Sequence, residues 1–508
     1  MAGPVHVVEQ PGTAADTAQP SRVARWLDQA VFVCLAAVAL LAPLSTKGAV
    51  NSFRAAALLW LVSLLTRRRR LLPQPLALPF LLFLVLTGIS TALSLDPLLS
   101  WGRMRTVCLL FLAVVTGQAL QSMRQVKVLS ALLIGSCLLT VLYTGWQYTA
   151  GIGVQAAGST PATAGLRRFA IVPGDIIRKV GATRIHSPHD LTAHKFPSGR
   201  IELLLWRETP NALQSFRIRV NSEALQAALR DPTLTLVRAH PPRAQGFFKH
   251  YFPFSEILVF IGLLMWGFAV SGVPDYKIRI VLFTAFAATT VVLALTLTRI
   301  SLFSLILGTF LIILPRGTRR IRWLGITLLL AIACIAGWWV QRHRSSPGSD
   351  PGTAYRLVMW QNSIGLIRSH PLFGVGLDAV AGDWQRWNLE AHRRFGLHSN
   401  FHSTPIQLAV ECGLPALAVW ICLLVGYAIF VIRQLRLVAD GDWFSRGLLL
   451  GALGGLSGFV VTGFLQYNFG DAEATIVFCL IVGLVFAQSH LQPEATYNLA
   501  QAISVREN

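Results

Sequence analysis

A histidine that could act as a base stands at position 402, directly before a long apolar stretch. A neutral imidazole can accept a proton at physiological pH, because the unperturbed pKa of histidine is about 6.5. His402 is therefore a candidate general base. The alternative interpretation is a histidine at a membrane interface that makes only local hydrogen bonds.

Three arginines could supply fixed positive charge. Arg299 is the only charged residue between Val281 and Leu314, and a charge inside an apolar stretch is costly enough to suggest a function. Arg243 stands just before an apolar segment, and Arg356 lies in the second long loop. A guanidinium stays charged and can pair two phosphate oxygens at once, so these side chains suit a phosphate ligand. The alternatives are an interface residue for Arg299 and solvated surface charges for Arg243 and Arg356.

Transmembrane helices are the elements that must position these side chains. Of the 508 residues, 54% are hydrophobic and only 13% are charged, whereas soluble domains carry about 25% charged residues. The apolar residues form blocks whose length is close to the roughly 20 residues that a helix needs to cross a bilayer. The sequence therefore predicts an all-α polytopic membrane protein with about twelve transmembrane helices. The predicted spans are 28–46, 53–66, 76–95, 104–120, 128–148, 254–272, 278–297, 300–315, 322–340, 406–432, 446–465 and 472–489.

The short basic loops predict the orientation, because loops rich in Lys and Arg stay in the cytoplasm. With the N-terminus inside, basic loops such as Arg67 to Arg70 and Arg316 to Arg322 fall on the cytoplasmic side, and both termini are cytoplasmic. Arg103 and three other basic residues in short outer loops are either interface anchors or added charge for an outer site; the other three are Lys47, Arg54 and Arg105.

The predicted organisation has seven parts and two long outer loops. They are a disordered cytoplasmic N-terminus (1–27), helices 1–5 (28–148), a periplasmic loop with a β-rich module (149–252), helices 6–9 (253–340), a periplasmic catalytic loop (341–405), helices 10–12 (406–490) and a cytoplasmic tail (491–508).

Alternating apolar residues in the first long loop predict a small β-rich module over about 166–240. The predicted strands are 169–172, 200–206, 215–220 and 233–237, with one short helix over 222–229. In the second loop, two stretches are typical of helices, 355–369 and 378–390.

Other site classes find little support in the sequence. The net charge of +21 is explained mostly by the basic cytoplasmic loops, so no nucleic-acid partner is predicted. His398 and His402 are four residues apart, but no third ligand is set by spacing, so no metal is predicted. Gly374-Val375-Gly376 follows no strand-to-helix phosphate motif, which argues against a nucleotide site.

The residues around His402 resemble the signature of the O-antigen ligase and O-antigen polymerase superfamily. His402-Ser403 is followed by nine residues, then Gly413, and Glu411 matches the Glu-x-Gly step. Ala416 departs from the Gly, Thr or Tyr that is usual at the last position. His398 competes as the motif histidine, but its register would place Gln407 and Ala409 at the Glu-x-Gly step.

Two further segments resemble the same family. Thr298-Arg299 is similar to the element that opens a mid-chain helix, and Arg243-Ala244-Gln245-Gly246 is similar to the element after the first large outer loop. The β-rich insert is not part of the family pattern.

The resemblance implies a GT-C-like enzyme of the bacterial inner membrane with a periplasmic active site. Its donor is a glycan on an undecaprenyl-diphosphate carrier, its acceptor is lipid A-core or another glycan, membrane lipids surround it, and no cofactor is needed. The implied catalytic residues are His402, Arg299 and Arg243; the implied substrate-binding residues are Arg356, His398, Ser403, Glu411 and Gly413.

O-antigen ligation to lipid A-core is favoured, with O-antigen or exopolysaccharide polymerisation and protein O-glycosylation as alternatives. A membrane transporter, or a scaffold whose β module binds a partner, are alternatives of other classes. A transporter would more often place its polar residues near the bilayer midplane.

Overall fold

A computed structural model gives the fold. It describes residues 22–67, 71–157, 166, 168–172, 174–193, 196–208, 213–230, 234–241, 243–313, 351–382, 384–395, 400–439 and 441–492.

The long described helices follow the apolar blocks of the sequence, and shorter ones lie in the two long loops. Several begin at a side-chain cap, for example Asp96, whose carboxylate accepts the Leu99 N–H, and Asp442, which accepts the Ser445 N–H. The helices are α1 (Arg22–Leu41), α2 (Thr46–Arg67), α3 (Ala77–Ala92), α4 (Pro97–Val107), α5 (Phe111–Ala119), α6 (Met123–Ala150), α7 (Pro188–Ala193), α8 (Ser222–Leu229), α9 (Tyr251–Ala269), α10 (Tyr276–Leu295), α11 (Arg299–Ile313), α12 (Pro351–Ser369), α13 (Ala379–Gly382), α14 (Trp384–Trp387), α15 (Glu390–Phe395), α16 (Thr404–Glu411), α17 (Gly413–Leu437), α18 (Trp443–Leu465) and α19 (Ala472–Leu491).

Within the described residues, nine helical segments are long and apolar enough to cross a membrane, with α4 and α5 forming one of them. The shorter apolar helices α3 and α11 correspond to two further predicted spans. The ninth predicted span, 322–340, lies outside the described residues. The chain is a polytopic, mostly helical membrane protein, as predicted.

Helices α9, α18 and α19 form the centre of the bundle, and the other long helices surround them. Of the apolar window of α9, 89% is buried, against 22% for α10 and α17. Glycines let α9 and α18 approach closely: a Cβ on Gly267 would meet the backbone of Gly447 and Gly451. The outer helices expose large apolar side chains, as a surface facing lipid does.

The turns between helices gather at two opposite ends of the bundle. Thr46 donates to Glu473, Ser90 donates to the Glu411 carbonyl, and Thr404 donates to the Gln466 carbonyl, so these turns share one end. We call it the site end. At the other end, Gln118 exchanges two hydrogen bonds with the Leu72 backbone.

A six-stranded antiparallel sheet continues from α6. Its strand order is β5-β4-β2-β1-β6, with β3 paired to β2, and Ile152 at its base donates to the Ala239 carbonyl. Helix α8 packs on a separate small apolar core that includes Leu203, Leu205 and Leu225. The strands are β1 (Gly153–Ala157), β2 (Ile176–Val180), β3 (Thr183–Arg184), β4 (Arg200–Glu208), β5 (Leu213–Asn221) and β6 (Thr235–Ala239).

The strands predicted over 200–206 and 215–220 and the helix over 222–229 are confirmed, and the strand predicted over 233–237 is shifted to Thr235–Ala239. The strand predicted over 169–172 is wrong. That segment turns, because Ala170 has a φ of 59° and the Asp175 carboxylate accepts the Val172 N–H. The sheet also begins at Gly153, before the predicted start of the module at 166.

Two helix predictions need correction. The helix predicted over 378–390 is broken into short pieces, since Asp378 and Asn388 adopt positive φ values of 61° and 44°. The span predicted over 406–432 is interrupted at Cys412, between α16 and α17. The predicted helix over 355–369 is confirmed as α12.

Replacing Gly267 with alanine should weaken the central packing, because the added methyl group collides with backbone that cannot rotate away. Overpacking of this kind costs about 1–3 kcal/mol. We expect thermal unfolding of the purified protein in detergent at a lower temperature. Gly455→Ala on α18 is the matched control, since a Cβ there meets nothing within 4 Å. Equal loss in both variants would contradict this packing.

Candidate active site

His402 lies in the short segment between α15 and α16 at the site end. It is half-buried, and its φ of 50° places a non-glycine residue in the left-handed region. Such a conformation costs free energy and persists only where the surroundings hold it, which is common at functional sites. The neighbouring contacts show how it is held.

The residues on both sides of His402 are tied to different groups. The His402 N–H donates to the Asn400 side chain (2.9 Å), and the Phe401 N–H donates to the Gln407 side chain (2.8 Å). The Phe401 carbonyl accepts from the Trp360 indole of α12 (2.8 Å). The Thr404 hydroxyl donates to Asn468 (2.8 Å) in the turn before α19. The histidine backbone is therefore fixed from both sides.

Helix α12 also sets the electrostatics of the imidazole. The Tyr355 ring meets the His402 ring edge-on, with centroids 5.9 Å apart. Burial, and then the nearby charge of Arg356, lower the pKa of His402 to about 4. The imidazole is consequently neutral at pH 7 and has a lone pair to accept a proton.

The carboxylate of Glu411 is buried below this segment. One oxygen accepts hydrogen bonds from the Gln407 amide (2.6 Å) and the Asp378 N–H (2.7 Å), and the other accepts from the Tyr467 hydroxyl (3.5 Å). Gln407 in turn accepts from the Phe401 N–H. A chain of hydrogen bonds therefore runs from Glu411 to the residue before His402.

The segment His370-Pro371-Leu372-Phe373-Gly374-Val375-Gly376 packs along the break between α16 and α17. Val375 and Gly376 donate to the carbonyls of Val410 and Glu411, and Leu414 donates to the Pro371 carbonyl. At Gly374 (φ 67°) a Cβ would collide with the Glu411 carbonyl, so only glycine fits. The same holds for Gly413 (φ 85°), whose Cβ would collide with the Leu372 carbonyl.

Arg299 is exposed and is the first residue of α11. Helix α11 runs antiparallel to α18, since Ile312 faces Gly454 and Gly308 faces Ser457. The start of α11 therefore lies level with the end of α18 at the site end. Arg299 and His402 are brought to the same end of the bundle, as predicted from the loops.

Arg243 reaches this end through the loop before α9. The Ala244 N–H donates to the Leu295 carbonyl at the end of α10, one turn before Arg299. The Arg243 guanidinium lies over the Tyr251 ring, 4.4 Å from its centroid. Both arginines thus flank the turn between α10 and α11.

The other predicted residues have different positions. Ser403 is buried and precedes α16, without a side-chain cap hydrogen bond. His398 lies outside the described residues. The contacts of Glu411 and Gly413 shape the helix break. Within the described part of the chain, no group of three or more His, Cys, Asp and Glu side chains is placed to hold a metal ion.

In the sequence, Arg103 stands out only as an exception to the positive-inside pattern of the loops. In the structure its charge interacts with Asp378, Tyr467, Glu411 and Asp471, which come from three separate segments. Burial, and then the Glu473 charge, raise the pKa of Asp471 to about 7, although the Arg103 charge opposes them. Only the departure of Arg103 from the positive-inside pattern could have indicated this role.

Helical architecture and site together define a polytopic membrane protein with a basic, histidine-containing site at one end of its bundle. Residues 284–421 match the family model described as O-antigen ligase. The matched segment includes Arg299 and His402, whereas Arg243 precedes it. The resemblance predicted from the motifs is confirmed, and the match supports a glycosyltransferase of the O-antigen ligase and polymerase type. No curated protein matches the chain.

Replacing Glu411 should show whether its carboxylate holds the site together. Glu411→Leu leaves the Gln407 amide and the Asp378 N–H without their acceptor, at about 1–3 kcal/mol each. Glu411→Gln keeps one acceptor oxygen and should lose less stability. Thermal unfolding of both purified variants measures the difference, and equal stability of the two would contradict the proposed network.

Proposed function

We propose that this protein transfers a glycan from an undecaprenyl-diphosphate carrier to an acceptor hydroxyl at the outer face of the inner membrane. The observation that carries the proposal is that Arg299 and His402 both lie in the segment matched by the O-antigen ligase model and at one end of the bundle. In this proposal the site end is periplasmic and both termini are cytoplasmic. The basic loops at the other end support this orientation.

Arg299 and Arg243 bind the diphosphate of the donor. Negative charge develops on the leaving oxygen as the bond between the sugar and the diphosphate breaks, and fixed cations stabilise it. Arg299 is exposed at a helix start and Arg243 lies over an aromatic ring beside it, so both guanidinium groups flank one turn. The lipid diphosphate is itself the activated leaving group, so the scheme uses no nucleotide.

His402 accepts the proton of the acceptor hydroxyl. The acceptor oxygen bonds to the anomeric carbon, the bond from that carbon to the diphosphate oxygen breaks, and undecaprenyl diphosphate leaves with the electron pair. The lowered pKa of His402 keeps the imidazole neutral and ready to accept. Glu411 acts through the hydrogen bonds that its side chain accepts, Gly413 allows the helix break, Ser403 lies between His402 and α16, and Arg356 acts through the charge it places beside His402.

The acceptor in this proposal is lipid A-core, which makes the protein an O-antigen ligase. The lipopolysaccharide of a deletion strain tests this choice. Core without long chains supports ligation, whereas core carrying a single repeat indicates polymerisation. Unchanged lipopolysaccharide together with loss of glycosylated proteins indicates a protein O-glycosylating enzyme.

Loss of His402 should remove catalysis without loss of donor binding. We expect His402→Ala to reduce transfer by roughly 10²–10⁴-fold, the usual contribution of a general base, with unchanged binding of lipid-linked donor. The wild-type rate should stay level as the pH falls from 7, and then decline towards the His402 pKa of about 4. Rates measured with purified protein, lipid-linked glycan and acceptor provide the check.

Arg356 supplies the control for this pH profile. Arg356→Gln removes the neighbouring positive charge, so the His402 pKa rises and the acidic decline moves to higher pH. Arg356→Lys keeps the charge and should leave the decline in place. If neither variant moves it, a group other than His402 causes the decline.

Replacement of Arg299 should weaken donor binding. Arg299→Ala loses charge-assisted contacts to the diphosphate, at about 1.5–3 kcal/mol, and Arg299→Lys restores only part of them because an ammonium lacks the planar fork. Binding of lipid-linked donor measures both. Arg219→Ala on β5 is the control, since it removes an exposed arginine far along the sheet. Normal donor binding and turnover by Arg299→Ala would show that Arg299 is only an interface anchor.

A further inference from the structure

The β-rich insert contains a cavity that none of the proposed catalytic residues lines. Its volume is about 230 Å³. The residues that line it are Arg178, Lys179, Arg184, Ile185, His186 and Leu204. Three of these side chains are cations and a fourth is an imidazole.

A bulge in β2 helps bring the cations together. Ile177 pairs with Leu205 and Lys179 pairs with Leu204, so Arg178 is the extra residue with no partner in β4. A bulge changes the direction of neighbouring side chains and often occurs beside binding sites. Lys179 pairs with Arg184 across the short β3 hairpin, and the Ile185 N–H donates to the Arg178 carbonyl (2.9 Å).

Carboxylates do not neutralise these cations within the described residues. The described salt bridges of the sheet are Arg207–Asp175 and Arg217–Glu202. Asp190, next to His186, accepts the backbone N–H groups of His186 and Ser187. The cavity therefore concentrates positive charge.

Arg178 is held in place by contacts other than an ion pair. Its Nε donates to the Ile152 carbonyl (2.9 Å), and its guanidinium lies 3.8 Å from the centroid of the Trp206 ring. Burial lowers the pKa of Arg178 and the like charge of Arg184 lowers it further, although Tyr143 opposes them. A bound anion would relieve this crowding of charge.

Aromatic rings connect the cavity with the site end. The Trp146 ring meets the His186 ring edge-on at 5.8 Å and is 6.0 Å from the Tyr143 ring, which stacks on Phe247 at 4.1 Å. Phe247 belongs to the loop that carries Arg243. Trp146 is 48% exposed and Phe247 is 46% exposed. Exposed aromatic faces of this kind suit the apolar face of a sugar ring.

We propose that this cavity and the adjoining Trp146 ring bind an anionic saccharide, with its phosphate or carboxylate group among Arg178, Lys179 and Arg184. This inference rests on the proposed function, in which the bound saccharide belongs to the acceptor glycan. The anion holds the acceptor beside the Arg243 loop, so the enzyme selects acceptors that carry negative charge.

Binding of defined probes to the full chain tests the site. The protein is placed in phosphatidylcholine nanodiscs, and the probes are fluorescent tetragalacturonate, which is anionic, and maltotetraose, which is neutral. We expect tetragalacturonate to bind more tightly than maltotetraose. Lys179→Gln with Arg184→Gln should raise the Kd for tetragalacturonate about tenfold or more, since charge-assisted contacts are lost.

Arg200→Gln with Arg219→Gln is the matched control, because it removes the same charge from exposed positions on β4 and β5. It should change the Kd by less than about twofold, as screened surface charges do. Equal weakening by both pairs would overturn the proposal in favour of general surface charge. No difference between the two probes with the wild-type protein would also overturn it.

An anionic lipid headgroup could also supply the negatively charged group that this cavity binds. Phosphatidylglycerol in the nanodiscs should leave tetragalacturonate binding unchanged. If phosphatidylglycerol instead competes with tetragalacturonate, and the Lys179 and Arg184 replacements abolish this competition, the cavity binds a lipid headgroup. If the double variant misfolds, the single replacement Arg184→Glu at an exposed position serves instead, with the same expected loss.

His402→Ala separates this inference from the proposed function. The variant should bind tetragalacturonate with the wild-type Kd, because His402 is not part of the cavity. Normal glycan transfer by His402→Ala would overturn the proposed function but leave the binding result standing. Loss of probe binding by the Lys179 and Arg184 variant, with donor binding intact, shows that the cavity binds an anionic saccharide separately from the donor.

Discussion

The hydrogen bonds to the buried side chain of Glu411 are the interaction on which the packing of the site end depends. This side chain accepts hydrogen bonds from its own helix (Gln407), from the start of another segment (Asp378) and from the turn before α19 (Tyr467). The Glu411 backbone carbonyl accepts from Ser90 of α3 and from Gly376. A buried carboxylate is costly unless it is well hydrogen-bonded, so the donors have to stay together for the fold to persist. Four segments distant in the sequence are thereby held around one residue.

The helix break after Glu411 also depends on satisfying buried polar groups with hydrogen bonds. An interrupted helix leaves backbone groups without partners, and apolar surroundings provide no water for them. Here the segment from His370 to Gly376 supplies the missing donors and acceptors, and its glycines allow the close approach. Helix α16 begins next to His402 and ends at the break, and α17 begins directly after it at Gly413. Irregular backbone between two apolar helices is tolerated here because protein covers it.

Charge is distributed unevenly over this end of the molecule. Arg103 lies among the acidic groups Asp378, Glu411 and Asp471 inside, whereas Arg299 and Arg243 lie beside an outer turn. In the proposed reaction the outer arginines are the ones that meet a diphosphate. The sheet adds a third basic group, at the far side of the Tyr143–Phe247 stack. One end of the bundle therefore combines a structural cation with two cationic surfaces that suit anionic ligands.

The sequence alone determined the helical membrane fold and most of the span positions, and it predicted His402, Arg299 and Arg243 as site residues, because apolar blocks and short motifs are local signals. Strands β4 and β5 were likewise predictable from alternation. Only the tertiary structure decided the break at Cys412, the pairing of β1 with β6, and the partners of Glu411 and Arg103. Each of these depends on residues far apart in the chain. The role of a buried polar group depends on the donors that reach it, and helix packing decides which donors those are.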